Sequence, residues 1–435
     1  MSTSPSLTTF IDSAPLSTLQ IRVIVLCALV VLFDGMDTQV VGYLGPALSA
    51  EWDIPRNLLG PVFSASLVGL MVGLLALAPL ADRWGRRNSI LVSVFLFAGF
   101  TLVTTFARGV NDLILWRFLA GIGLGGAMPN ALALTGEYCP KRLKSTLVIL
   151  MFCGFSLGSI LGGLVAATLL DTVGWRGVFM VGAVLPLLLL PVLYRYLPES
   201  LLFLSQQPAG HSRVQILLAK IAPGAAMPTM ELPSGTAPAV PIQDLFREQR
   251  TTGTVLLWAV FFMNLMVFYF LQSWLPTLFT DAGLPAQNAV LMATLISVGG
   301  IVAGLITGPL MDRFSPYRVL AVLYLAGALW VAAIGIATPA ALALVTFCAG
   351  FCVSGGQKSV NALAVIFYPT KVRSTGVGWA LGIGRFGSIL GPVVAGFLLN
   401  AGWNVKELMQ LAAVPMLLAA VFIFIMGRYY TSGDY

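Results

Sequence analysis

The sequence predicts an all-α membrane protein of twelve transmembrane helices in two six-helix bundles, the second a diverged copy of the first. Three observations lead there. Of 435 residues, 58% are hydrophobic and 9% are charged, and the mean hydropathy is +0.92. A soluble domain carries about 25% charged residues. Second, twelve apolar stretches approach the roughly 20 residues that a bilayer crossing requires. They run near 22–48, 60–81, 88–108, 112–137, 144–170, 177–196, 253–276, 289–311, 317–337, 340–368, 374–400 and 405–427. Third, the chain repeats itself. Gly158-Ser159-Ile160-Leu161-Gly162 returns 229 residues later as Gly387-Ser388-Ile389-Leu390-Gly391. Pro140 with Lys144-Ser145-Thr146 returns as Pro369 with Arg373-Ser374-Thr375, and Asp82-Arg83 as Asp312-Arg313.

The spans fall as six, then a polar stretch, then six. This divides the chain into a first bundle over 1–198, a linker over 199–252 and a second bundle over 253–435. The linker is rich in Pro, Gly, Ala and Ser, with a short amphipathic helix expected near Ile242–Gln249. Its low apolar content gives it no core of its own. The 45 glycines and 25 prolines suit helices that pack closely or bend in lipid. Membrane proteins built from two similar halves typically bind a substrate between them.

Lys and Arg set the orientation. With the N-terminus in the cytoplasm, 17 of the 24 lie on the cytoplasmic side and 4 on the far side, while Arg117, Lys358 and Arg385 lie inside spans. Both termini are therefore expected in the cytoplasm, in a bacterial inner membrane. The net charge of +7 reflects this topology and anionic lipid, not nucleic acid. Residues 1–20 lack the basic start of a cleaved signal peptide. The five cysteines have neither metal-ligand nor disulfide spacing, and the only histidine, His211, sits in the linker. Neither a metal, nor a cofactor, nor an enzymatic centre is expected.

Between spans two and three the chain reads Ala78-Pro79-Leu80-Ala81-Asp82-Arg83-Trp84-Gly85-Arg86-Arg87, and between spans eight and nine Gly308-Pro309-Leu310-Met311-Asp312-Arg313. A carboxylate at a helix end can cap a neighbouring helix, and arginines beside it can lock two bundles together. A gating role is thus expected of Asp82, Arg83, Arg86, Asp312 and Arg313, with Glu137 paired to the loop arginines or Arg142. These loops resemble the signature loop of the major facilitator superfamily. So do Arg117-x-x-x-Gly121-x-Gly123-x-Gly125, the glycine row 154, 158 and 162, and Leu197-Pro198-Glu199-Ser200. The first loop has Ala78 where the superfamily has Gly, and the second lacks the later Gly-Arg-Arg. Superfamily antiporters usually carry Pro at the position of Ser159, which disfavours a drug antiporter.

A charge at mid-bilayer costs about 2.5–3.5 kcal/mol on insertion scales, so each demands an account. Asp34 and Asp37 sit three residues apart in span one, near one helical face. Two crowded, poorly hydrated carboxylates favour keeping one proton, which is what proton coupling requires. The Asp34-Gly35-Met36-Asp37 pattern resembles that of the aromatic acid:proton symporters, as do Gly355-Gly356-Gln357, Tyr368-Pro369 and Gly382-x-Gly384-Arg385-x-Gly387. The resemblance implies import of a benzoate-, hydroxybenzoate- or phenylpropionate-like anion with protons by alternating access. An aliphatic mono- or dicarboxylate, or export, is the alternative. Arg385 has no charged counterpart in the first half and is the expected carboxylate anchor. Lys358 and Gln357 are further substrate candidates. Arg117 could guide the anion or pair with Asp34 or Asp37. Asn264, which aligns with Asp34, and Tyr269 supply amide and aromatic contacts in span seven. The transporter is expected to act as a monomer, its partners being the organic anion, protons and lipid.

Overall fold

Capping residues, prolines and a few glycines set the helix boundaries. The computed structural model describes residues 7–207, 210–223, 242–247, 250–369 and 372–430. Among them the α-helices are α1 (Leu7–Ser13), α2 (Thr18–Tyr43), α3 (Gly45–Trp52), α4 (Arg56–Trp84), α5 (Arg86–Thr104), α6 (Val110–Tyr138), α7 (Lys141–Tyr196), α8 (Leu201–Ser205), α9 (His211–Ile221), α10 (Thr251–Asp281), α11 (Ala286–Arg313), α12 (Pro316–Ile334), α13 (Pro339–Phe367), α14 (Arg373–Asn400) and α15 (Val405–Tyr430). Ser17 and Gln20 close a reciprocal capping box at the start of α2. Pro316 and Pro339 open α12 and α13, where a missing N–H costs nothing.

Among the described residues eleven helices are long and apolar enough to cross a membrane, because spans five and six run on into each other. The chain passes through Gly174 at φ 67° within one 56-residue run, α7. A glycine tolerates that left-handed backbone without the steric penalty of a Cβ, so the reversal needs no loop. The expected boundary at 170–177 is therefore a kink at Gly174, where one helix ends and the next begins. The twelve crossings form the two six-helix bundles of the expected fold.

Part of the linker is structured. In α9, Val214, Leu218 and Ile221 share one face and are buried in the same apolar cluster as Leu19 and Val23 of α2. A 3₁₀ helix, Ile242–Phe246, occupies the start of the expected amphipathic segment, whose end at 248–249 lies outside the described residues together with 224–241. The short α3 is clasped to the α7 turn: Glu51 accepts hydrogen bonds from Trp175 Nε1 (2.5 Å) and Arg176 Nη1 (2.6 Å). Desolvation acts to raise the Glu51 carboxyl, but these two bonds outweigh it and hold it below the ordinary glutamate value.

The internal repeat is a repeat of contacts. Gly158 of α7 lies against the Leu32 carbonyl of α2, and Gly387 of α14 against the Phe262 carbonyl of α10. Gly69 meets the Phe118 carbonyl as Gly299 meets that of Phe347. Small residues let backbones approach closely where lipid supplies no hydrophobic drive between helices. Gly158→Ala places a methyl on the Leu32 oxygen and should cost about 1–3 kcal/mol. Gly378→Ala, which has open space within 4 Å, should not. Equal melting temperatures for the two variants in detergent would refute this.

The halves meet through α2 with α10, α4 with α14 and α7 with α11. One end of this seam is held by several direct contacts. Arg56 Nη2 pairs with Asp281 Oδ1 at 2.8 Å, and Ser64 Oγ donates to the Ile389 carbonyl at 2.8 Å. Phe63 meets Trp274 edge-on at 5.2 Å. Asp82, Arg83, Asp312 and Arg313 lie at the opposite end and are exposed.

Candidate functional site

Between the halves, beyond this seal, is a small cavity of about 40 Å³. That holds a few waters and is well below small-molecule sites, which run from roughly 300 to 1,000 Å³. The first half contributes Asp34, Leu70, Leu74, Leu124, Gly125, Met128, Pro129 and Phe155, and the second contributes Tyr269 and Arg385. The lining is thus largely apolar, with one carboxylate, one guanidinium and one phenol. Arg385 Nη1 donates to Tyr269 Oη at 3.1 Å. Asp34 is 2% exposed and accepts from Thr38 Oγ1 at 3.2 Å. Arg385 lies within electrostatic reach of Asp34, but its hydrogen bond goes to Tyr269.

The two span-one aspartates are separated by their surroundings. Asp37 turns into the first bundle, where Arg117 Nη2 reaches Oδ2 at 2.9 Å and Nη1 reaches Oδ1 at 3.1 Å. Arg117 Nη2 also donates to the Asp37 carbonyl at 2.9 Å, and Thr101 Oγ1 donates to Oδ1 at 2.6 Å. The Phe179 ring lies 5.4 Å below the guanidinium. Both charges are sealed, Arg117 at 0% and Asp37 at 1% exposure. A forked pair with extra hydrogen bonds is the arrangement that makes a buried charge tolerable.

The other candidates lie in the second half's own packing. Lys358 runs from α13 over Gly300 and Gly304 of α11 and donates to the Gly300 carbonyl at 2.6 Å. Asn264 is fully buried and donates to the Val353 carbonyl at 3.1 Å. Gln357 reaches Asn361 Oδ1 at 3.4 Å. None of these three lines the cavity beside Asp34 and Arg385.

At the end opposite the Arg56–Asp281 contact, Glu137 pairs with Arg86 and accepts from Ser200 Oγ at 2.6 Å. The carboxylate that caps α5 is Glu199: its Oε1 accepts from Arg87 N at 3.0 Å, just past Gly85 at φ 89°. The loop pattern suggested a capping carboxylate and named Asp82. Glu199 comes from 112 residues away, and only its place in a Leu-Pro-Glu-Ser passage hinted at it. Thr101, Met128 and Phe155 carried no signal: each is an ordinary residue in an apolar span.

This fold, with charges from both halves meeting at one cavity, is that of a secondary transporter. The family model described as Major Facilitator Superfamily matches residues 27–356 and 291–433. The 4-hydroxybenzoate transporter PcaK of Pseudomonas putida is 42% identical over 424 residues, covering 96% of this chain and 95% of that one. The gallate transporter of Pseudomonas putida is 41% identical, covering 96% and 94%. The 3-(3-hydroxy-phenyl)propionate transporter of Escherichia coli (strain K12) is 34% identical, covering 92% of each. Among solved structures, the D-xylose-proton symporter shares the fold at TM-score 0.73 and 18% identity, covering 93% of this chain and 97% of that one. The chain belongs to the major facilitator superfamily and, within it, to the aromatic acid:proton symporter family.

Proposed function

We propose that this protein imports an aromatic carboxylate together with protons across a bacterial inner membrane, by alternating access about the Asp34–Tyr269–Arg385 cavity. The observation that carries the reading is that cavity: one bundle offers a carboxylate, the other a guanidinium oriented by a phenol, within an apolar wall. An apolar slot accepts a ring, and a guanidinium accepts a carboxylate through two parallel hydrogen bonds. The names of the relatives, carriers of hydroxybenzoate, gallate and hydroxyphenylpropionate, support the substrate class.

Asp34 carries the proton and Arg385 binds the substrate carboxylate, with Tyr269 orienting it. Neutralising both charges lets the bundles rock around the loaded site. Asp37 and Arg117 hold the first bundle's inner wall. Lys358, Asn264 and Gln357 act through the packing of α10, α11 and α13. The end bearing Asp82, Glu137 and Asp312 faces the cytoplasm, as the Lys and Arg bias indicates, so this conformation is sealed outside by Arg56 and Asp281. Glu137 with Arg86, and the exposed Asp82, Arg83, Asp312 and Arg313, form the inner gate.

The test is uptake by proteoliposomes with an alkaline interior, using labelled benzoates and aliphatic acids. Accumulation of the benzoates that collapses with a protonophore is expected. Accumulation of aliphatic acids alone moves the substrate class, and the absence of gradient-driven accumulation of any acid defeats the proposal. Arg385→Lys keeps the charge but loses the fork. It should raise the half-saturation concentration by roughly 10- to 100-fold, the worth of a charge-assisted hydrogen bond.

A further inference from the structure

Pro129 interrupts the hydrogen bonding of α6 at the cavity wall. A residue inside a helix donates its N–H to the carbonyl four residues back, and proline has none to give. Pro129 lies inside α6, so the Gly125 carbonyl loses its helix partner. Both residues line the cavity. The next carbonyl, that of Gly126, is covered by Asn130 Nδ2 at 2.8 Å, whereas no side chain among the described residues donates to that of Gly125. Gly125 is buried, and its α-carbon packs directly on the Leu70 carbonyl and the Leu74 nitrogen of α4. A Cβ there would collide with that backbone, so the close contact with α4 holds the freed carbonyl in place.

Asp34 lines the same small cavity. Its Oδ1 accepts from Thr38 Oγ1 at 3.2 Å, which leaves Oδ2 to the cavity. A carboxylate oxygen and a carbonyl oxygen both only accept, so neither satisfies the other. One proton on Oδ2 changes that, because the carboxylic acid is a donor. In a space that holds only a few waters, the two groups meet directly or through one of them. The other groups facing Asp34 have their own partners. Arg385 of α14 is within electrostatic reach but donates to Tyr269 of α10 at 3.1 Å. Asp37, on the same helix, is turned into the Arg117 fork of α6. From α4 and α7 the cavity receives Leu70, Leu74 and Phe155, none of them titratable.

We infer that the Gly125 carbonyl, freed by Pro129, accepts a hydrogen bond from protonated Asp34, which makes Pro129 a positioning residue for the coupling proton. This rests on the reading of Asp34 as the proton carrier. A buried acceptor without a donor is costly, so the freed carbonyl favours the carboxylic acid over the carboxylate. The proton binds Oδ2 from water on one side of the membrane and returns to water on the other once the bundles have moved. While Asp34 is neutral it does not compete for the guanidinium, and the substrate carboxylate has Arg385 to itself.

The test is Pro129→Ala, which restores an N–H that bonds the Gly125 carbonyl within α6. Loss of the acceptor weakens the protonated form, so the pH midpoint of benzoate uptake should move to lower pH by about 0.5–1 unit, the worth of one hydrogen bond. Pro129→Gly restores the same N–H with a different volume. It should give the same shift, and it serves if Pro129→Ala does not fold. Pro415→Ala removes a proline from inside α15, which does not line the cavity, and should leave the midpoint in place. Infrared difference spectra between acid and alkaline protein supply a readout independent of turnover. The carbonyl stretch of the protonated carboxyl, identified as the band lost in Asp34→Asn, should rise in frequency in Pro129→Ala. An unmoved midpoint or band in a folded Pro129 variant overturns the inference, as does an equal shift in Pro415→Ala. Loss of coupling in Asp34→Asn alongside an unmoved midpoint in Pro129→Ala defeats this inference alone. Asp34→Asn that keeps pH-driven accumulation defeats the parent reading as well.

Discussion

Asp37→Asn strips the folded protein of about 3–5 kcal/mol, the penalty for leaving a buried guanidinium without its counter-charge. Arg117 has no route to water, because it is completely buried and its side chain is pinned between Asp37, Thr101 and the Phe179 ring. Its bonds to Asp37 include both carboxylate oxygens, so an amide cannot replace them: one of the two positions becomes a donor facing a donor. The expected result is a large drop in monodisperse protein after extraction and a lower melting temperature. Removing both charges together, as Asp37→Leu with Arg117→Met, recovers most of the stability, since apolar replacements of a buried pair are often neutral or better. An Asp37→Asn protein that melts with the wild type would show that the pair does not hold the first bundle.

Asp34→Asn should behave in the opposite way. Asp34 has a single side-chain bond from Thr38 and a cavity beside it, so an amide fits without stranding a charge. The folded yield is expected to stay near wild type. What disappears is coupling. An amide cannot carry a proton, so a pH gradient no longer drives accumulation, while exchange of labelled for unlabelled acid across liposomes continues. Measured together, gradient-driven uptake falls to the equilibrium level and counterflow persists. Persistent pH-driven accumulation in Asp34→Asn would remove Asp34 from the proton path and return attention to Asp37. The two aspartates stand three residues apart on one helix, so opposite outcomes would trace to surroundings, not to residue type.

Much of the architecture is legible along the chain because lipid imposes a local rule. Every crossing must be a long apolar helix, so the spans can be counted, and the repeated Gly-Ser-Ile-Leu-Gly passages mark where helices touch. The joining of spans five and six could not be counted in that way. It depends on Gly174, whose positive φ turns the chain from one helix into the next without a longer loop. Asp34, Asp37, Arg117, Lys358 and Arg385 stood out for a similar reason: a charge inside an apolar run is expensive and therefore conspicuous. Their pairings did not stand out. Asp37 finds Arg117 80 residues away, while Arg385 finds Tyr269 116 residues away and Lys358 finds a backbone carbonyl.

Composition and periodicity therefore settled the class, the number of crossings and the short set of buried charges, since each reports a cost borne by the residue in its own span. Helix rotation and packing settled which of those charges face the cavity and which are locked away. Glu199 on α5 and the hydrogen-bonded network of Tyr43, Ser159, Ser297 and Gln272 belong to the second kind. Their members are unremarkable in an apolar or polar stretch, and they gain meaning when distant helices bring them within 3.3 Å of one another. A hydrogen bond is a relation between two positions, and its partner lies on another helix where no local pattern can point to it.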